Sequence, residues 1–149
     1  MNISKALEEI KRADHLIFVS LKYTRTVDVI KSIIERMITA IDCLMDALFE
    51  HAQKKKKIKV LPTAPVVKAE TIKKLYSDDV RIVEMMDFYL SLRKISKAHF
   101  TKREEYRRHV TMIATLEEGI IEISIDVIKE YFEKIKQFIE YLNEGVLKK

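Results

Sequence analysis

The chain has very little glycine and proline, with two residues of each among its 149. Antiparallel sheets with tight hairpins need glycine at turn positions that have a positive φ, and their loops usually contain proline. The scarcity of both residues therefore favours long helices over sheets. A hydrophobic content of 48% beside 34% charged residues is typical of a packed core under a charged surface. A chain of this length has the size of one domain.

Cysteine and long apolar runs are equally scarce. The single cysteine, Cys43, excludes an internal disulfide and a cysteine-based zinc site. The longest purely apolar run, at 16–19, is far shorter than the ~18 residues that a transmembrane helix needs, and the first ten residues do not resemble a signal peptide. We therefore expect a cytoplasmic protein with no membrane partner. The abundance of isoleucine, lysine and glutamate favours a thermophilic source.

Hydrophobic periodicity predicts helices along most of the chain. One stripe at 3–23 and a longer one at 27–48 predict a long helix hairpin. Pro62 and Pro65 define a linker at 61–66, and helices are predicted after it, including a short one at 69–76 and one capped by residues 77–79. Capping boxes at 101–104 and 115–118 predict two further helix starts.

Residues 121–127 alternate between apolar and polar as a strand would. Because no second alternating segment is available to pair with them, we expect a helix there as well. The prediction is an all-α fold, with one helical domain at 1–149. Its architecture is an up-and-down bundle of four to six helices built around the long helix hairpin.

The segment 92–110, LRKISKAHFTKREEYRRHV, brings cationic, aromatic and histidine side chains together. Cations neutralise phosphates, aromatic rings stack on unpaired bases, and imidazole transfers protons near neutral pH. The net charge of +5 also permits a polyanionic partner such as RNA. The candidate nucleic-acid-binding residues are Arg93, Lys94, Lys97, His99, Lys102, Tyr106, Arg107 and Arg108.

RNA cleavage without a metal ion requires few groups. A base removes the 2′-hydroxyl proton, an acid protonates the leaving oxygen, and a cation stabilises the charge that develops at phosphorus. One histidine and one arginine, repeated across a two-fold dimer, would supply all three. No glycine-rich phosphate loop and no His-Glu-x-x-His motif occurs in the chain, and we expect neither a cofactor nor a metal ion.

The predicted helix hairpin, followed late in the chain by an Arg-x4–6-His signature, resembles the HEPN superfamily. The stretches HLIFVSLKYTRTVDVIKSIIERMITA at 15–40 and FYLSLRK…EYRRHVTM within 88–112 look like small archaeal proteins of that kind. Arg103 with His109 matches the signature, and so does Arg93 with His99. The resemblance implies a homodimer with arginine and histidine facing a cleft, RNA cleavage in active members, and a toxin–antitoxin role or a nucleotidyltransferase partner.

Under this hypothesis His109 is the general acid and base, and Arg103 clamps the phosphate. Arg107 and Arg108 then position the RNA backbone. A second hypothesis is a non-catalytic interaction module, whose basic face docks an acidic partner protein, for example the other half of a two-component operon. Cleavage of RNA by the purified protein would separate the two.

Overall fold

The computed structural model describes residues 2–148, which form six helices and one three-stranded antiparallel sheet. The helices are α1 (Asn2–His15), α2 (Leu21–Tyr23), α3 (Val27–Lys54), α4 (Pro65–Leu75), α5 (Val80–Lys97) and α6 (Ile125–Glu144). A π-helical turn (Leu16–Ser20) joins α1 to α2, and a 3-10 turn (Val146–Lys148) follows α6. The strands are β1 (His99–Arg103), β2 (Thr111–Leu116) and β3 (Gly119–Ser124), with β2 in the centre.

Helix α3 is the central element of the core, and the helix predicted there is confirmed. Half of its 28 residues are buried, because apolar side chains recur every three or four positions on more than one face. Its first turn is capped by the Thr26 hydroxyl, which accepts a hydrogen bond from the backbone N–H of Val29. Helix α5 begins in the same way, with the Asp79 carboxylate accepting from the N–H of Ile82.

The all-α prediction is wrong, because residues 99–124 form a sheet between α5 and α6. The predicted capping box at 101–104 lies at the end of β1, and the one at 115–118 lies in the hairpin between β2 and β3. That hairpin has a two-residue turn closed by Gly119, whose φ of 142° is a conformation that glycine adopts readily. One of the two glycines in the chain thus provides the turn that the composition argued against.

The alternating residues at 121–127 are a strand only as far as Ser124. The side chains of Met112, Ala114 and Ile123 are buried against the core on one face of the sheet. This burial stabilises the pairing of β2 with β3. Helix α6 then begins, since the Ser124 hydroxyl accepts a hydrogen bond from the N–H of Val127. The helix predicted at 121–127 is therefore wrong in its first half.

The proline linker at 61–66 is shorter than predicted, because Pro65 begins α4 at the first helical position, where its missing N–H does no harm. The two terminal residues of the predicted domain, Met1 and Lys149, lie outside the described residues. Among residues 2–148, none of the helices has the length and the apolar character needed to cross a lipid bilayer.

Candidate nucleic-acid interface

The structure divides the predicted basic segment among three elements. Helix α5 and the residues directly after it carry the first part, β1 the second, and a loop at 104–110 between β1 and β2 the third. Of the predicted site residues, Arg103, Arg108 and His109 line one common cavity with a volume of about 600 Å³. The structure thus brings together the two residues predicted to be catalytic and one predicted to contact the RNA backbone.

The register of the sheet explains why Arg103 and His109 converge. Arg103 lies opposite Thr111 of β2, and Thr111 lies opposite Ser124 of β3. These three residues therefore form one row across the strands, at one end of the sheet. His109 is two residues before Thr111, and its carbonyl accepts a 2.9 Å hydrogen bond from the Thr111 hydroxyl. The chain therefore returns to the level of Arg103 as it enters β2.

Two further cations that the sequence did not single out line the same cavity. Arg25 comes from the connection at 24–26 between α2 and α3, and Lys129 comes from the first turns of α6. The remaining polar side chains of the lining include the carboxylates of Glu104 and Asp126. Four cations face two carboxylates, and the N-terminus of α6 adds partial positive charge from its backbone N–H groups. The cavity is therefore electropositive.

The four cations differ in whether a carboxylate already pairs with them. Arg103 is paired with the carboxylate of Glu122 on β3, and both side chains are about half exposed. Within residues 2–148, no carboxylate oxygen lies within 4.0 Å of the charged nitrogens of Arg25, Arg108 or Lys129. Lys129 instead places its ammonium 5.5 Å from the centre of the Phe18 ring. Three of the cations are thus available to an anion without breaking an ion pair.

The loop at 104–110 is fixed to the start of α3. The carboxylate of Glu105 accepts a 2.8 Å hydrogen bond from the N–H of Val27, and the N–H of Tyr106 donates to the carbonyl of Arg25 at 2.6 Å. Glu104 and Tyr106 have φ values of 52° and 67°, in the left-handed region that non-glycine residues rarely adopt. The contacts with Arg25 and Val27 therefore hold Glu104 and Tyr106 in a strained backbone conformation, at the start of the loop that carries Arg108 and His109.

Several predicted residues lie outside the cavity. Lys94 on α5 forms a 3.0 Å ion pair with Glu118, and its hydrogen bond lowers the pKa of that carboxyl group. Arg93 lies 5.9 Å from the centre of the Tyr89 ring, and Lys102 lies 3.7 Å from Glu105. Lys97, His99, Tyr106 and Arg107 do not line the cavity either.

Arg25 and Lys129 were missed because each belongs to a different part of the chain from the basic segment. Arg25 lies in the Thr-Arg-Thr sequence that interrupts the two helical stripes. This interruption was the one local feature of the sequence that set Arg25 apart. Lys129 is one of several lysines in an acidic helix and had no distinguishing neighbour. Their convergence depends on the tertiary fold.

No protein-family model matches the chain, and no match was found among curated proteins or solved structures.

Proposed function

We propose that the cavity binds the phosphate backbone of RNA. The observation that carries the proposal is the convergence of Arg25, Arg103, Arg108 and Lys129 on one concave surface beside His109. Like charges gathered in one place repel one another, so the arrangement destabilises the folded chain unless an anion binds. A phosphate group supplies that anion.

The residue types also suit a phosphate group. Arginine presents a planar fork of N–H donors that matches two oxygens of a phosphate, and three of the four cations are arginines. The N-terminus of α6 begins at Ile125 in the wall of the cavity and adds partial positive charge there. A single phosphate with its neighbouring sugar fits a cavity of this volume.

A second candidate function is RNA cleavage, and the presence of both Glu104 and His109 in the lining of the cavity favours it. One of these two groups would accept the 2′-hydroxyl proton as the 2′-oxygen attacks phosphorus. The other would protonate the 5′-oxygen as the bond from phosphorus to that oxygen breaks. Arg103 would clamp the phosphate and stabilise the added negative charge, as the HEPN resemblance implies. The homodimer, the toxin–antitoxin role and the nucleotidyltransferase partner remain further predictions of that resemblance.

Binding is tested by fluorescence anisotropy with a labelled single-stranded RNA over about 50 to 300 mM salt. We expect affinity to fall steeply with salt, by about 0.7 log units per log unit of salt for each phosphate contacted. Arg108→Ala should weaken binding and reduce that slope by about 0.7. Arg93→Ala is the matched control, because Arg93 lies outside the cavity.

A flat salt dependence would remove nucleic acid as the ligand. Equal losses in Arg108→Ala and Arg93→Ala would place the binding surface elsewhere. Binding of an acidic protein, with no affinity for RNA, would support the interaction-module hypothesis instead.

Cleavage is tested by incubating the same RNA with the protein in the presence of a chelator. We expect fragments that end in a 2′,3′-cyclic phosphate, and no cleavage of a strand whose 2′-hydroxyls are replaced by hydrogen. His109→Ala should abolish cleavage and retain most of the RNA affinity. Intact RNA after prolonged incubation would reject cleavage and leave the binding proposal standing.

A further inference from the structure

Two tyrosines are largely exposed, and both are close to Arg25 in the backbone. Tyr23 is 78% exposed and Tyr106 is 75% exposed, whereas the other four tyrosines are buried or partly buried. Tyr23 is two residues before Arg25, and the N–H of Tyr106 donates to the Arg25 carbonyl. Arg25 lines the basic cavity, so the backbones of both exposed tyrosines lie next to a cavity residue, one along the chain and one through a hydrogen bond.

Neither ring contributes to the packing of the core. Tyr106 is moreover held at a φ of 67°, which for a bulky residue is a true outlier with a free-energy cost of about 1 kcal/mol or more. Glycine or asparagine would adopt this conformation with less strain. A strained backbone that directs a large aromatic ring into water is unexplained by stability, and such strain is concentrated at functional sites.

Tyr23 is exposed for a different structural reason. The helical conformation ends directly after it, since Thr24 has φ −131° and ψ 86°, so no following turn covers the ring. The ammonium of Lys22 lies 5.9 Å from the centre of the Tyr23 ring. The ring thus stands free beside a cation, as stacking residues do in proteins that bind single strands.

We propose that Tyr23 and Tyr106 form a base-stacking subsite for unpaired nucleobases of the strand whose phosphate occupies the cavity. This inference rests on the proposed function, and it names the substrate class as single-stranded RNA. In a duplex the faces of the bases are covered by their neighbours, so the two rings would find no partner. A single strand can turn its bases outward onto aromatic side chains while its phosphates contact cations.

The test compares variants that remove each ring with variants that keep it. Tyr23→Ser and Tyr106→Asn should each weaken binding of single-stranded RNA about tenfold, whereas Tyr23→Phe and Tyr106→Phe should stay within about twofold of the native protein. Asparagine is chosen at position 106 because it tolerates the left-handed backbone, so the loop is preserved. Thermal unfolding checks that each variant folds.

The salt dependence separates stacking from charge. In the ring-removal variants the slope of affinity against salt should equal that of the native protein, because the phosphate contacts remain. A strand of the same length whose nucleotides lack bases stacks on neither ring, so it should bind the native protein more weakly than intact RNA binds either ring-removal variant. Duplex RNA of the same sequence should also bind less tightly than the single strand.

The outcomes distinguish the two proposals. If the native protein binds the abasic strand and the intact strand equally well, the stacking subsite is refuted and phosphate binding stands. If neither strand binds, both proposals fail.

Tyrosine fluorescence provides an independent signal, because the chain has no tryptophan to mask it. Stacking should quench the emission on binding, and the double variant with phenylalanine at both positions should lose that quenching. Unchanged quenching in that variant would refute the subsite.

Discussion

Glu105 connects the loop at 104–110 to the start of α3, and replacing it tests whether that contact holds the candidate site in place. Its carboxylate accepts the N–H of Val27, one of the first-turn donors of α3 that has no partner within the helix. A hydrogen bond between a charged carboxylate and such a donor stabilises the fold by about 1–2 kcal/mol, and the helix dipole adds a few tenths more. Part of this is offset when Glu104 and Tyr106 relax from their left-handed conformations.

We therefore expect Glu105→Ala to reduce the free energy of unfolding by about 1–2 kcal/mol, which lowers the melting temperature by about 3–6 °C in a protein of this size. Glu105→Gln keeps an oxygen acceptor without the charge and should lose about half as much. Thermal unfolding followed by circular dichroism measures both effects. RNA affinity should fall in the same order, because Arg108 and His109 are no longer held in position.

Lys102→Ala is the matched control, since it leaves the bond from Val27 to Glu105 intact and removes only long ion pairs of a half-exposed lysine, at 3.7 Å to Glu105 and 4.0 Å to Asp28. Exposed pairs of this kind contribute about 0–1 kcal/mol, so the change in melting temperature should be smaller than in Glu105→Ala. If Glu105→Ala melts at the native temperature while Lys102→Ala is destabilised, the contact with Val27 does not anchor the loop. Retained RNA affinity in a destabilised Glu105→Ala would show that the loop is not part of the binding site.

Three further predictions concern charge, pH and capping. Glu122→Gln frees Arg103 from its ion pair, so RNA should bind about two- to fivefold more tightly at low salt. The free energy of unfolding should change by less than about 1 kcal/mol. Weaker binding would exclude Arg103 from the site. Burial, and then the charges of three neighbouring lysines, lower the pKa of His51, so its protonation favours the unfolded chain. Stability should therefore decrease as the pH falls below about 6.5, and His51→Gln should flatten that decrease in thermal unfolding curves measured against pH. Ser124→Ala removes the cap on Val127 and should cost about 1 kcal/mol in urea denaturation, whereas an unchanged midpoint would show that α6 does not depend on this cap.

The long helices could be predicted because their signals are local. In α3 the apolar residues recur at helical spacing over 28 positions, and Thr26 supplies the cap at the expected place. The start of α5 at Asp79 follows the same logic. Burial on a helix and hydrogen bonding at its first turn both depend on residues within a few positions, so a single sequence contains the necessary information.

The sheet could not be predicted because strand pairing is not local. Strand β3 showed an alternating pattern, but its neighbour β2 is a short TMIATL run without clear alternation, and β1 is HFTKR, mostly exposed and polar. Lysine and arginine on such an edge strand discourage pairing with another molecule and also remove the hydrophobic signal. The Thr-x-x-Glu motifs at 101–104 and 115–118 then predicted helices because the capping box is short enough to occur in turns.

The β1–β2 connection, and not the predicted helix, brings Arg103 and His109 to one cavity. On a regular helix, residues six positions apart point about 120° away from each other, so Arg103 and His109 would not share a cavity. A strand followed by a loop that turns back removes this difficulty, because the hairpin register returns the chain to the level of Arg103. Arg93 and His99 have the same spacing, but α5 ends between them, and neither lines the cavity. Spacing alone therefore could not distinguish the two pairs, and the hairpin between β1 and β2 is what makes one of them a candidate site.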